Sequence, residues 1–217
     1  MLFKGAIFDL DGTLLDSMGV WDTVGDRFLM RRGITPPSDL RQILKPLGLE
    51  QAVVYLKRRY GFADSVSQLM QEANDLVEQD YRHHILLKPS VLPFLESLRK
   101  RQVSLCIATA TDRHLVETAL NRLGIDHYFP RLITCTEAGA GKDQPDIYFQ
   151  ALSLLGTTQA DTIVFEDSLH AIQTAVAAGF LVAGVFDPSA KKDADAIRTA
   201  ATWYLHSYPD FWEYHSG

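Results

Sequence analysis

Five short, nearly continuous apolar runs recur along the chain: KGAIF (4–8), VSLCIA (103–108), RLITC (131–135), TIVFE (162–166) and LVAGVF (181–186). Each has the length of a strand. A strand with one face in water would alternate apolar and polar residues; these do not, so both of their faces must be covered. Helical patterns fall between them. Leu115, Val116, Ala119, Leu120 and Leu123 form one apolar face that ends at Gly124, and Ala171, Ile172, Ala175 and Val176 run to Gly179. Strands alternating with helices build a parallel sheet with helices on both faces, because the crossover connections put them there.

One stretch breaks this rhythm. Between Leu15 and Lys88 there is no convincing strand pattern, only helical spacing, clearest in Val66, Leu69, Met70, Ala73, Leu76, Val77 and Tyr81. Ser65 and Gln68 stand in capping-box spacing in front of it. Trp21, Val24 and Phe28 form a shorter face of the same kind. The expected class is therefore α/β, a Rossmann-like parallel sheet core flanked by helices, with an all-helical cap inserted after the first strand. Residues 1–16 and 87–217 make the core and 17–86 the cap. A chain of 217 residues that is 47% hydrophobic can bury a core of this size.

The same totals exclude several functions. Net charge is −6 with both signs spread along the chain, so no basic stripe invites nucleic acid. No apolar run approaches the roughly 20 residues of a membrane span. MLFKGAIF is too short for a signal-peptide core and has Asp9 where a cleavage motif would sit. Cys106 and Cys135 have no metal-ligand spacing and read as free thiols in a reducing cytosol. The expectation is a cytoplasmic protein, monomeric, with a dimer as the alternative.

In open parallel sheets, ligands bind beyond the carboxyl ends of the strands. This chain repeatedly puts polar residues there: Asp9 and Asp11, Thr109 and Thr111, Glu137 and then Lys142, Glu166 and Asp167. Turn and capping duty accounts for one residue per loop, and Asp16, Ser17, Asp112 and Ser168 are read that way. It does not account for acidic pairs on two separate strands. Two carboxylates about 4 Å apart repel by about 4 kcal/mol at an effective dielectric of about 20. A hard divalent cation such as Mg²⁺ would offset that repulsion, and Lys142 supplies a fixed positive charge. Such a cluster suits an oxygen-rich anion such as phosphate. GAGKD (139–143) lacks the spacing of a Walker loop, and no GxGxxG follows the first strand.

These residues carry a resemblance. DLDGT (9–13), Thr109, GKDQPD (141–146) and EDS (166–168) match, in order, the four motifs of the haloacid dehalogenase superfamily, in its phosphatase and β-phosphoglucomutase-like branch with a helical cap. The resemblance implies Asp9 as a nucleophile that forms an aspartyl phosphate and Asp11 as the acid and base. It implies Thr109, the amide of Ala110 and Lys142 as holders of the phosphoryl group. Mg²⁺ would lie between Asp9, the backbone carbonyl of Asp11, and Asp167, with Glu166 acting on metal-bound water. Asp143 stands where family members often have Pro, and Ala171 where they often have Gly. Asp11 argues against the dehalogenase branch, whose members typically lack it.

The expected activity is hydrolysis of a small phosphorylated metabolite, such as a sugar phosphate. A phosphomutase of the β-phosphoglucomutase type is the alternative, disfavoured by Thr13, where such mutases often carry a bulky apolar residue. A non-catalytic binding protein of the same fold is the other. Among the basic residues of the cap, Arg41 and Lys45 are candidates for substrate contact. Trp21 reads as cap core with a pocket role left open, and the aromatic tail YPDFWEY (208–214) as packed on the sheet.

Overall fold

The computed structural model describes residues 3–44 and 47–214. The apolar runs become strands β1 (Gly5–Phe8), β4 (Ser104–Thr109), β5 (Arg131–Thr134), β6 (Thr162–Glu166) and β7 (Leu181–Val185), joined at one edge by β8 (Trp203–Leu205). Two further strands, β2 (Leu15–Asp16) and β3 (Leu86–Leu87), form a separate antiparallel pair at the two ends of the helical stretch. The sequence pattern predicted no strand there, because two residues are too few for periodicity to register. Cys135, included in the third predicted run, instead begins a helix.

The six-stranded sheet has the order β5-β4-β1-β6-β7-β8, and every pairing is parallel. The first strand lies in the middle. The chain winds outward to one side through β4 and β5, then reverses and winds outward through β6, β7 and β8. That reversal falls between β1 and β6, the position where doubly wound sheets leave a crevice beyond the strand ends. All four residues of β1 are buried, as a strand covered on both faces requires.

The chain divides into two compact units, Met1–Asp16 with Ile85–Gly217, and Ser17–His84. The second is all helical: α1 (Met18–Arg31), α2 (Leu40–Leu44), α3 (Leu49–Tyr60) and α4 (Val66–His83). Its core gathers Phe28, Leu29, Leu40, Val53, Leu56, Leu69 and Ala73. Helix α4 starts where the capping box predicts, with Ser65 Oγ accepting from the Gln68 amide at 3.2 Å and Gln68 Oε1 from the Ser65 amide at 2.8 Å. Trp21 donates its indole N–H to the Tyr81 hydroxyl at 2.9 Å within this unit.

The α/β unit carries α5 (Val91–Lys100), α6 (Arg113–Leu123), α7 (Cys135–Ala138), α8 (Asp146–Leu155), α9 (Leu169–Ala177), α10 (Ala194–Ala200) and α11 (Asp210–Glu213). In α6 the residues Leu115, Val116, Ala119 and Leu120 are buried, and Gly124 ends the helix at φ +68°, a conformation that costs glycine no side-chain clash. The face of the sheet carrying Phe8 and Phe165 packs against Phe94 of α5, Tyr208 and Phe211. Tyr208 and Phe211 of the aromatic tail thus pack into the core, as expected, while Tyr214 at its end is exposed. Each such ring, fully buried, contributes about 1.5–3 kcal/mol of apolar transfer. Among the described residues no helix is long and apolar enough to cross a membrane.

Candidate active site

The loop after β1 is built to expose side chains while its backbone stays paired. The Asp9 amide still donates to the Phe165 carbonyl at 2.9 Å, so Asp9 leaves the sheet in strand register beside β6. The chain then turns tightly: the amides of Leu14 and Leu15 both donate to the Leu10 carbonyl at 2.8 Å, and the Gly12 amide to the Leu15 carbonyl at 2.9 Å. Gly12 takes φ +79° in this turn, which explains a glycine at that place. Thr13 is fully buried, with its hydroxyl 3.5 Å from Asp167 Oδ1.

Beyond the ends of β1 and β6, Asp9, Glu166 and Asp167 each present an oxygen within 4.8 Å of the others. All three are buried. Lys142, also buried, reaches them from the loop between α7 and α8: its ammonium donates to Asp9 Oδ1 and, at 2.7 Å, to Glu166 Oε2. Glu166 Oε1 accepts the amides of Asp167 and Ser168, each at 3.2 Å, which fixes its carboxylate.

The electrostatics are unbalanced. Three carboxyl groups face one ammonium in a buried site, and the cost of ionising them together shows in their titration. Burial, then the charge of Glu166, raises the Asp9 carboxyl to about 6 against the pull of Lys142. Burial, then Glu166 and Asp9, holds Asp167 well above the usual carboxylate range. Burial alone would lower the Lys142 ammonium, but Asp9 and Glu166 outweigh it and hold the group well above its ordinary value. Buried hard oxygen donors within 4.8 Å of one another, whose ionisation is held back by their mutual repulsion, are what a divalent cation such as Mg²⁺ would bind and keep ionised, so these residues fit one.

Asp11 lies apart from this trio. Its Oδ2 accepts the Thr111 hydroxyl at 2.6 Å, which aims the carboxylate toward the end of β4. Thr109, buried at that same strand end, accepts the Thr111 amide on its Oγ1 at 3.1 Å and keeps its own proton to donate. Ala110 follows, exposed. Asp9, Asp11, Thr109, Ala110, Lys142, Glu166 and Asp167 therefore all stand at the carboxyl edge of the sheet. Arg41 belongs to the helical unit, exposed and bonded to Asp26 Oδ2 at 2.6 Å. Lys45 lies outside the described residues.

Some readings of the sequence need correction. Glu137 takes no part in the cluster: it closes a capping box on Thr134, accepting that amide at 3.0 Å, and is paired with Arg113 at 2.5 Å. The Thr-x-x-Glu spacing of 134–137 carried that signal. Ser17, Asp112 and Ser168 stand at helix N-caps without making a side-chain capping bond. The Ser168 hydroxyl meets His170 Nδ1 at 2.7 Å instead. The position of Thr111 at a strand end is visible in the sequence, but its hydrogen bond to Asp11 spans 100 residues and no local pattern encodes it.

The family model for haloacid dehalogenase-like hydrolases matches residues 6–185. The chain belongs to this family. A phosphorylated carbohydrates phosphatase of Thermotoga maritima is 24% identical to it over 176 residues, 81% of this chain and 82% of that one. Hexitol phosphatase A of Escherichia coli is 27% identical over 192 residues, 87% and 86% of the two chains. Among solved structures, CbbY from Rhodobacter sphaeroides in complex with phosphate superposes with a TM-score of 0.82 at 18% identity, over 95% of each chain. That likeness establishes the fold. The chain is a hydrolase by family, and the curated relatives named here are phosphatases.

Proposed function

We propose that this chain is a Mg²⁺-dependent phosphoric monoester hydrolase acting on a small phosphorylated metabolite through an aspartyl phosphate on Asp9. The observation that carries the reading is the buried group of Asp9, Glu166 and Asp167 around Lys142 at the reversal point of the sheet. Mg²⁺ would be held by Asp9, Asp167, the Asp11 backbone carbonyl and, through water, Glu166. When bound, it would offset negative charge on the phosphoryl oxygens.

The chain's own groups then divide the chemistry. An Asp9 carboxylate oxygen attacks phosphorus as the ester P–O bond breaks, and the protonated Asp11 carboxyl gives its proton to the departing alkoxide oxygen. Asp11, now ionised, takes a proton from the water that attacks the acyl phosphate, releasing phosphate and restoring Asp9. Thr109, the Ala110 amide and Lys142 donate to the phosphoryl oxygens, and Lys142 keeps Asp9 ionised. The Thr111 hydroxyl supports this division, since it holds one oxygen of the Asp11 carboxyl at the end of β4.

The division into a core, 1–16 and 87–217, and a helical cap, 17–86, is part of the reading, and Arg41 and Lys45 stay in it as candidate substrate contacts. A sugar or sugar-alcohol phosphate is the substrate class it favours, supported by relatives named for phosphorylated carbohydrates, hexitol and fructose 1-phosphate. The test is phosphate release from a panel of sugar phosphates and other monoesters with Mg²⁺, repeated after EDTA and after Mg²⁺ is restored. Release that EDTA stops and Mg²⁺ recovers is expected. Conversion of β-glucose 1-phosphate to glucose 6-phosphate without free phosphate would replace hydrolysis with mutase activity. Silence across the panel would favour a binding protein.

A further inference from the structure

Three successive carbonyls of the loop that carries Asp9 and Asp11 are each held by a donor distant in sequence. The Lys88 ammonium donates to the Gly12 carbonyl at 2.5 Å, the Tyr208 hydroxyl to that of Thr13 at 3.0 Å, and the Lys88 amide to that of Leu14 at 2.9 Å. The same ammonium donates to the Phe186 carbonyl at 2.7 Å and forms an ion pair with Asp187 at 2.8 Å. An ammonium has three protons, and all three are engaged. Asp187 is engaged on both oxygens, the second accepting the Ser189 amide at 2.9 Å. Lys88 and Asp187 are 11% and 2% exposed at their side chains, so this pair is removed from solvent.

A buried ion pair is weak evidence for stability, since well-packed apolar residues often serve as well. What it does provide is direction. The pair ties the turn after β1 to the end of β7, and Tyr208 ties the same turn to the aromatic tail. Tyr208 lies buried, its ring tilted against Phe94 with centroids 4.8 Å apart, so its hydroxyl has little freedom to point elsewhere.

We propose that Lys88, with its partner Asp187, and Tyr208 are positioning residues that clamp the peptide planes after Asp11 and thereby aim Asp9 and Asp11. The proposal rests on the phosphatase reading for its kinetic consequence and on the metal part of that reading for its binding consequence. The hydrogen bonds of these three side chains run to backbone groups and, between Lys88 and Asp187, to each other, so they act through the loop. Displacing reacting groups by a fraction of an ångström to an ångström costs up to about 100-fold in rate. Lys88→Met should therefore lower kcat by roughly that factor and Tyr208→Phe by about tenfold, each with KM within about twofold.

Mg²⁺ affinity, measured by calorimetry on the folded apo chain, gives a second and independent reading. It should weaken about tenfold in both variants, as loss of a supporting hydrogen bond behind a ligand does. A merely structural role would lower the melting temperature and leave the Mg²⁺ affinity of folded molecules unchanged, and that result would overturn the proposal. So would kcat within twofold of wild type in both variants. If Lys88→Met fails to fold, Tyr208→Phe, which removes one oxygen and keeps the ring, decides the matter. A wild-type chain that binds Mg²⁺ yet releases phosphate from no ester would sink the phosphatase reading, while the affinity comparison would still judge the clamp.

Discussion

Replacing Lys142 by Met removes one charge from the cluster and keeps an unbranched apolar chain one atom shorter. At 2.7 Å and an effective dielectric of about 20, the attraction between Lys142 and Glu166 alone is about 6 kcal/mol. The desolvation of Lys142 offsets part of this, and removal of one member of a buried pair typically costs about 3–5 kcal/mol. For a domain of this size each kcal/mol moves Tm by about 2–4 °C, so the metal-free variant should melt about 6–20 °C below wild type near neutral pH.

The difference should depend on pH in a definite direction. Without the ammonium, Asp9, already raised to about 6, and Asp167 are pushed higher still. The folded state then holds protons that the unfolded chain releases near pH 4, so stability is greatest at low pH and falls as pH rises through the folded values. In wild type most of that fall from Asp9 is complete just above pH 6. In the variant it continues, and the gap in Tm should widen between pH 6 and pH 8. The assay is thermal unfolding followed by circular dichroism in EDTA across that range, with phosphate release measured in parallel. A variant that melts within about 1 °C of wild type at pH 8 would refute the argument that Lys142 balances the buried carboxylates.

Asp9→Asn should lower phosphate release by roughly 10⁴-fold or more, as loss of a nucleophile does, while the far-ultraviolet circular dichroism spectrum stays native. Asp11→Asn should cripple turnover yet still allow Asp9 to be labelled by an ester with a good leaving group, detectable as added phosphate mass on the intact chain. Burial pushes the Cys106 thiol up to about 12, so a disulfide reagent at pH 8 should leave it unmodified in the native chain and modify it at once in guanidinium. Ser65→Ala should cost about 1 kcal/mol through loss of the α4 cap, read as a lower urea midpoint with an unchanged m-value.

The sheet was legible because its strands are buried on both faces and so appear as apolar runs. TIVFE, between its two neighbours, became β6 over the very residues expected. Strand β8 was not legible: Trp203 to Leu205 form an edge strand of three residues, too few for a strand pattern to register. The acidic tips were legible because charges directly following an apolar strand are costly without a task. Lys88 and Asp187 gave no such signal. They meet only because β3 and β7 bring their loops together, and a lone Lys before a Pro, like an Asp before one, resembles any turn. Tyr208 was foreseen as packed, but its hydroxyl bond to Thr13 depends on tertiary geometry that no local pattern encodes.

The central position of β1 bears on how the molecule is made. Gly5–Phe8 is synthesised well before its neighbours in the sheet, which begin at Ser104 and Thr162. Contacts of such long sequence separation form slowly, because the intervening loop must be closed before they repay its entropy. On the ribosome, the strand that delivers Asp9 must wait, apolar and unpaired, until Ser104–Thr109 has emerged, and is covered on its other edge only after Thr162–Glu166 follows. A variant that weakens its pairing would therefore first reveal itself as poor soluble yield during expression, before any fall in the equilibrium stability of the finished molecule.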